Sequence, residues 1–460
     1  MQPASVLDYR YVETSGFEPS TADLAPSSWH FTTRIAFRFV ASYFTLYIIS
    51  TQMISGLLVI PGSGVPPLAS VPPLLDLTSW VATEVFGFSK PLVLVSGSGD
   101  TPFDWTLVAC LLAIAGLITA LWSFADRRRP NYPGLQKWFR LFLRFGLGST
   151  MLTYGMIKAI PLQMSYPSLT RLLEPYGHFS LMGVLWSHMG SSPAYQMFTG
   201  AVELSAAILL FIPGLTVLGA LISLATSSQV FVLNMAYDTP VKLFSFHLIV
   251  MSLVLLAPDM KRLFNVLVFG RAVGPASHPP LFRNRVLRFL AIASQLCVGA
   301  WLVFSAFNAD MESWRRRGPN APKPPLYGIW TIDTMSIDGQ IRSPLVTDYD
   351  RWRRMVVQTP TGMTFQRMDD TFTGFGAKVD TAAKVITLMR GPSTPTPGSP
   401  PPQPAEVGRF TFEQPSPERL ILDGTLDGKA MHMELQYFDR NNFRLVQSRF
   451  RWVQDYPFNR

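Results

Sequence analysis

A helix that crosses the hydrocarbon core of a bilayer needs about 20 mostly apolar residues. Seven stretches of this sequence approach that requirement, at roughly residues 36–60, 103–124, 138–159, 195–212, 214–235, 240–257 and 286–307. Lipid offers no hydrogen-bonding partner to a backbone, so runs of this kind fold as helices that satisfy their own N–H and C=O groups. The fold class this predicts is a polytopic α-helical membrane bundle of about seven transmembrane helices, spanning 31–312 after a polar N-terminal tail at 1–30. The second and seventh stretches are the clearest. The third carries Arg140 and Arg144 in its first turns, and both are expected to snorkel to the headgroups. The fourth and fifth read as a helical hairpin turning at Pro213-Gly214, which stop one helix and permit a tight turn. Composition agrees, with 48% hydrophobic and only 15% charged residues, low in charge for a soluble chain of this length.

Charge placement then sets orientation. Residues 1–324 hold 23 Lys/Arg against 15 Asp/Glu, whereas 325–460 hold 16 against 15. The basic surplus thus lies among the apolar segments, where cytoplasmic loops carry it. With no basic stripe in the soluble part, nucleic acid is excluded as a partner; the partner implied is the lipid bilayer. Arg127, Arg128, Arg129, Lys137 and Arg140 crowd the second-to-third connection, and Lys261, Arg262, Arg271, Arg283, Arg285 and Arg288 the sixth-to-seventh. Both are expected to be cytoplasmic, together with the N-terminus near Arg34 and Arg38. The long loops 61–102 and 160–194, with only Lys90 and Arg171, fall on the outer side, and seven crossings put the C-terminal domain there too. Arg315, Arg316 and Arg317 run against this topology. The first spanning helix is expected to serve as the insertion signal, since the polar start lacks the pattern of a cleavable leader. Within the outer loops, 71–88 suits an amphipathic interfacial helix, and 168–190 suits a lid on the outer leaflet or a re-entrant piece.

Beyond the bundle the hydrophobic period changes. Residues 313–325 read as a proline-stiffened linker. From there to residue 460, short alternating runs predict about eight strands: YGIWTIDTMSID, RWRRMVVQ, GMTFQRM, AKVITLM, GRFTFEQ, RLILDGTL, KAMHMELQYF and FRLVQSRFRWV. Asp-Gly pairs at 338–339, 423–424 and 427–428 supply turn chemistry, and 391–405 is a proline-rich loop. The expectation is an extracytoplasmic all-β domain at 326–460, a small barrel. Gly328-x-Trp330 matches the start of a lipocalin barrel, although a Trp plugging the end of any barrel explains it as well.

Ionisable residues inside a membrane are costly and therefore point to function. Lys158 ends the third helix one turn beyond Tyr154. Glu203 lies about 12 Å into the fourth helix at 1.5 Å per residue, too deep to snorkel, so it is protonated or paired with a cation from another helix; Lys158 and Lys242 are the cations at similar depth. Asp238 suits the N-cap of the sixth helix, and Asp238, Lys242 and Ser245 share one face by spacing. This set reads either as an ion-pair lock that closes the bundle or as a polar pocket for an anionic or quinone-like ligand. His247 is about 140° around the helix from Lys242 and reads as a packing histidine, with proton carrier or heme ligand as the alternatives. His178, His188 and Glu174 do not complete a metal set, so no metal is predicted. Cys110 and Cys297 both lie in apolar runs and form no CxxC. Gly146 and Gly148 suit close helix approach. Nucleotide-binding, serine-hydrolase and zinc-protease motifs are missing.

Three motifs stand out between residues 137 and 270: YGxxKxxPxQM, SPAYxxFxGxxE and LNxxYDxPVKLFSxHL. On these the segment resembles the DoxX-like family of four-helix membrane proteins. Larger members carry added N-terminal helices and a C-terminal β domain ending near PFNR, as Pro457-Phe458-Asn459-Arg460 does here. Family relatives include a membrane subunit of thiosulfate:quinone oxidoreductase and proteins of redox-stress complexes. The resemblance implies a bacterial-type inner membrane protein associated with redox chemistry, with a quinone as the possible cofactor and a redox-complex or extracytoplasmic protein as the possible partner. Tyr154, Lys158, Glu203, Tyr237, Asp238, Lys242 and His247 fall on its motif positions. Two functions are thereby expected: binding of a quinone or other lipophilic ligand at the outer face, with Glu203 and Lys158 as polar core and Asp238 and Lys242 as gate; or a non-catalytic scaffold whose β domain docks a partner. A small-solute transporter is disfavoured by the lack of an inverted repeat. Whether the protein catalyses a reaction is left open by these residues.

Overall fold

The computed structural model describes residues 28–60, 64–89, 92–94, 97–274, 280–391, 404–448, 450–457 and 459. Nearly all of the tail 1–30, Lys90, most of the proline-rich loop 391–405, and Phe458 and Arg460 lie outside the described residues.

The first two-thirds of the chain is helical. The elements used below are α1 (Phe31–Ser50), α2 (Met53–Leu57), α3 (Leu74–Trp80), α4 (Pro102–Ala125), α5 (Pro133–Ala159), α6 (Leu169–Leu173), α7 (Leu181–Ser191), α8 (Pro193–Phe211), α9 (Thr216–Ala236), α10 (Lys242–Leu256), α11 (Met260–Leu267) and α12 (Arg285–Arg317). Five helical stretches are long and apolar enough to cross a membrane: α4, α8, α9, the run Lys242–Leu267 formed by α10 and α11, and α12. The protein is therefore a multi-pass membrane protein. Helices α1 and α5 are as long but more polar. For α5 the reason is its place: it packs on α8, α2, α12, α10 and α1, and residues 143–152 are buried without interruption. A helix enclosed by protein has no need of an apolar face toward lipid.

That enclosure corrects the expectation for Arg140 and Arg144. Neither snorkels. Arg140 Nη2 pairs with Asp259 Oδ2 at 3.2 Å. Arg144 is 7% exposed and donates to Gln295 on α12 and to Thr216 Oγ1, the latter at 3.4 Å. The hairpin at Pro213-Gly214 forms as expected, with Gly214 at φ +93°. The stretch 313–325 is not all linker, because α12 continues through Arg317. Its last turn is held by an i, i+4 pair between Glu312 and Arg316, and Gly318 ends it. Within 168–190, α6 and α7 are each opened by a serine cap, Ser168 and Ser180.

The C-terminal part is a closed antiparallel barrel of eight strands: β1 (Gly328–Ile337), β3 (Trp352–Thr359), β4 (Gly362–Arg367), β5 (Phe372–Asp380), β6 (Val385–Arg390), β7 (Ala405–Ser416), β8 (Arg419–Leu426) and β9 (Lys429–Phe438), with β2 (Gln340–Ile341) a short return of β1. Neighbours in sequence are neighbours in space, and β9 pairs back to β1 from Ile329↔Phe438 to Ile337↔Met431. Alternate residues fill the interior, among them Trp330, Met355, Phe365, Leu388, Phe410 and Met433. One end is plugged by Trp330, whose Nε1 donates to Leu326 O at 2.9 Å. The buried guanidinium of Arg351 donates to Ile332 O at 2.9 Å and Asp333 O at 3.1 Å.

Eight strands were expected, but not these eight. β5 does turn alternate apolar residues inward, Phe375, Ala377 and Val379, but Gly374 and Gly376 on its outer face lower the strand propensity of the run. The run 443–453 is no strand. It holds a single helical turn, α13 (Arg444–Gln447), and then an exposed tail. The β9–β1 pairing leaves no free edge for it to join. Asp-Gly at 338–339 and 427–428 makes the hairpin turns, with Asp338 and Asp427 both at φ 50°. Asp423-Gly424 instead lies inside β8. A Cβ on Gly424 would meet Phe410 Cα at 2.6 Å, so glycine serves there for close strand approach.

The barrel sits on the bundle through α6. Leu169 is buried with Ile329 and Val356. Its N–H donates to Gln358 Oε1 at 2.8 Å, and Gln366 Nε2 donates to Leu173 O at 3.5 Å. The barrel therefore shares the end of the bundle where α5 stops and α8 begins.

Candidate functional site

The contact between α5 and α8 positions the site. Each helix carries a glycine three residues before an ionisable residue: Gly155 before Lys158, and Gly200 before Glu203. A Cβ on Gly200 would meet Gly155 O at 2.7 Å and Lys158 C at 2.8 Å, and one on Gly155 would meet Leu204 N at 2.8 Å. Only glycine lets the two backbones come this close. The approach brings Lys158 Nζ to 2.5 Å from Glu203 Oε1, with the two residues 6% and 4% exposed. A buried carboxylate is tolerated when a cation answers it, and Lys158 is that cation.

The pair does not exhaust the carboxylate. Glu203 Oε2 is buried without a hydrogen-bond partner. Beside it opens a cavity of about 100 Å³. Met151, Tyr154 and Lys158 of α5, Thr199 and Glu203 of α8, Ser227, Leu233 and Asn234 of α9, and Phe244, Ser245 and Leu248 of α10 form its walls, while Leu185, Trp186 and Met189 of α7 cover it. Two other wall atoms, Gln163 Oε1 and Thr239 Oγ1, are also buried and unpartnered. The remaining wall is mostly apolar. An apolar slot with a few convergent polar atoms is the usual make-up of a small-molecule site.

Of the residues singled out by sequence, Tyr154, Lys158 and Glu203 come together. Tyr154 OH accepts from Gln52 Nε2 at 3.0 Å. The other four lie apart. Tyr237 packs with Trp186 and Leu233 against Met164, Leu185 and Met189, outside the cavity wall. Asp238 and Lys242 pair with each other at 2.7 Å, the Asp238 side chain being 79% exposed, so Lys242 does not answer Glu203 and the two do not gate the cavity. Nor is Asp238 the N-cap of α10. It sits at φ 49° in the turn. Asp100, from the segment before α4, accepts from Lys242 N at 2.8 Å and Leu243 N at 2.9 Å. His247 bridges helices: Nε2 lies 2.6 Å from Tyr43 OH, Nδ1 lies 2.7 Å from Leu243 O, and the ring stacks on Tyr47 at 4.0 Å.

Sequence reasoning passed over Gln163, Thr239 and Asn234, and placed Ser245 only on the face of Asp238 and Lys242. Gln163 and Thr239 lie just outside helix ends, where a polar residue is unremarkable; only the fold turns them inward. Asn234 Nδ2 donates to Ser245 Oγ at 3.1 Å, tying α9 to α10 behind the cavity. Among the described residues no group of three or more His, Cys, Asp or Glu could hold a metal ion.

No family profile matches the chain, and no solved structure matches it significantly. It is similar to the uncharacterized protein YwoB of Bacillus subtilis (strain 168), with 31% identity over 128 residues, which is 28% of this chain and 79% of that protein. Through that segment, the chain belongs to the same family as YwoB.

Proposed function

We propose that this protein binds a lipophilic ligand of the quinone/quinol class in the cavity beside Glu203. On this reading it is a DoxX-like protein of a bacterial-type inner membrane, with its N-terminus cytoplasmic and its barrel extracytoplasmic. One observation carries the proposal: Glu203 Oε2, buried and unpartnered, borders a largely apolar cavity. An orphaned acceptor in a dry site is costly, and a ligand hydroxyl removes that cost. Gln163 Oε1 is a second acceptor of the same kind, so the pair suits the reduced head, which donates two hydrogen bonds. Met151, Phe244, Leu248 and Trp186 supply apolar and aromatic contact for a ring. Glu203, beside the Lys158 ammonium, can accept a hydrogen bond from such a hydroxyl. The test is purification in mild detergent followed by lipid extraction. A quinone should co-purify and raise thermal stability, and Glu203→Gln should weaken its retention. If no quinone co-purifies and none changes stability, the reading fails.

A scaffold role is the second reading, favoured by the tail after the barrel. Phe450, Trp452 and Tyr456 are 78%, 91% and 84% exposed, a run of anchors suited to a partner protein. Replacing Lys158 and Glu203 together by Met and Leu separates the two readings: a scaffold keeps its partner in pull-down, whereas a ligand-binding protein loses its quinone.

A further inference from the structure

The opposite end of the bundle holds a second cavity, of about 430 Å³, between the start of α5, the α8–α9 turn and the start of α12. Its wall carries Lys137, Arg140, Arg144 and Arg288 and, among the described residues, no acidic residue. The carboxylate nearest in the bonding pattern, Asp259, lies off the wall and already serves Arg140 at 3.2 Å and Arg262 at 3.3 Å. Arg144 is the key residue. It is 7% exposed, forms no salt bridge among the described residues, and its Nε is buried without a partner. Among the described residues its hydrogen-bond acceptors are neutral, Gln295 and Thr216. A guanidinium enclosed in a bundle without a counter-charge is expensive, and its planar fork matches a phosphate. Helix α9 also begins at this cavity, and no side chain caps it, so its first N–H groups add donors of the right sign.

We propose that this cavity binds the phosphodiester headgroup of an anionic phospholipid. The surroundings select lipid over a free anion. Trp138 on α5 and Leu287 and Phe289 on α12, next in sequence to the wall residues Lys137 and Arg288, are 52%, 47% and 69% exposed, an apolar border against which acyl chains can lie. Ile292 continues that border into the wall. Basic pockets between spanning helices hold such headgroups. This site is independent of the cavity at Glu203, and either assignment can fail without the other.

The test uses the full chain in detergent, with melting temperature read after adding phosphatidylglycerol, phosphatidylcholine or inorganic phosphate. Phosphatidylglycerol should raise the melting temperature by several degrees, and phosphatidylcholine should not. Lys137→Gln with Arg288→Gln, both at the solvent-reached part of the wall, should fold normally and lose at least half of that rise; Arg144→Gln should lose nearly all of it if it folds. If inorganic phosphate alone reproduces the full rise, the lipid assignment is overturned in favour of a free-anion site. Equal effects of the two lipids, or a double variant that keeps the whole rise, overturn the proposal.

Discussion

Lys158 and Glu203 show what one charge contributes inside a bundle. Each is tolerable only because of the other, so single and double replacements should differ in kind. Lys158→Met leaves Glu203 unpaired and should cost about 3–5 kcal/mol, or force the carboxyl to bind a proton. Lys158→Met with Glu203→Leu should return most of that stability, because a packed apolar pair is close to neutral by comparison. Thermal unfolding in detergent checks both; a double variant as unstable as the single would mean the pair is not what closes this contact. At the other side of the turn, Asp100→Ala removes the acceptor for two N–H groups of α10 and should cost about 1 kcal/mol. Faster amide exchange confined to Lys242 and Leu243 would identify the loss as that of a cap. In the barrel, Arg342 donates to Asp348 at 2.6 Å and holds its carboxyl below the ordinary value of 3.8. The stability this adds is present above that value and fades as pH falls through the lowered one. Asp348→Asn should abolish that part of the acid sensitivity, a small effect for a pair near solvent. The depth of Glu203 was readable from helix rise alone. That Lys158 rather than Lys242 answers it was not, because both lie at similar heights and only the rotation of α10 turns Lys242 outward to Asp238.

Between elements, close approach decides what meets. Gly155 and Gly200 set the α5–α8 distance, and the ion pair one turn further along inherits it. Gly200→Ala should push the helices apart, cost about 3 kcal/mol as overpacking does, and weaken ligand retention. Retained stability in that variant would show that the glycine is incidental. The motif letters YGxxK and FxGxxE contain both glycines, yet spacing along one chain does not tell which glycine faces which. The same limit explains the strands. A period of two is legible where propensity supports it, and β5 was lost because Gly374 and Gly376 on its outer face dilute the strand signal although Phe375, Ala377 and Val379 alternate inward. The run 443–453 has the strand pattern, but pattern is necessary and not sufficient: a barrel that closes through β1 and β9 leaves no place for another strand. Helix α5 shows the reverse case, a helix whose Arg140 and Arg144 weaken its hydropathy and which is nonetheless among the most enclosed, because protein surrounds it.

For the whole molecule, the barrel's seat on α6 is the join that links the two halves. Cysteines placed at Leu169 and Val356 in a Cys297→Ser background should form a cross-link on mild oxidation, since the two native side chains share one buried cluster. Failure to link would mean that the barrel leaves the bundle in solution. The sequence by itself determined that there is a membrane bundle followed by a β domain, because chain-local hydropathy and its period are enough to separate lipid-facing helices from alternating strands. It also determined that a buried carboxylate must find a cation. Tertiary structure alone decided which cation that is, where the barrel closes, that α7 covers a cavity, and that four basic side chains converge at the far end of the bundle. These are contacts between residues distant in the chain, and neither period nor spacing carries the rotation and offset of one element against another.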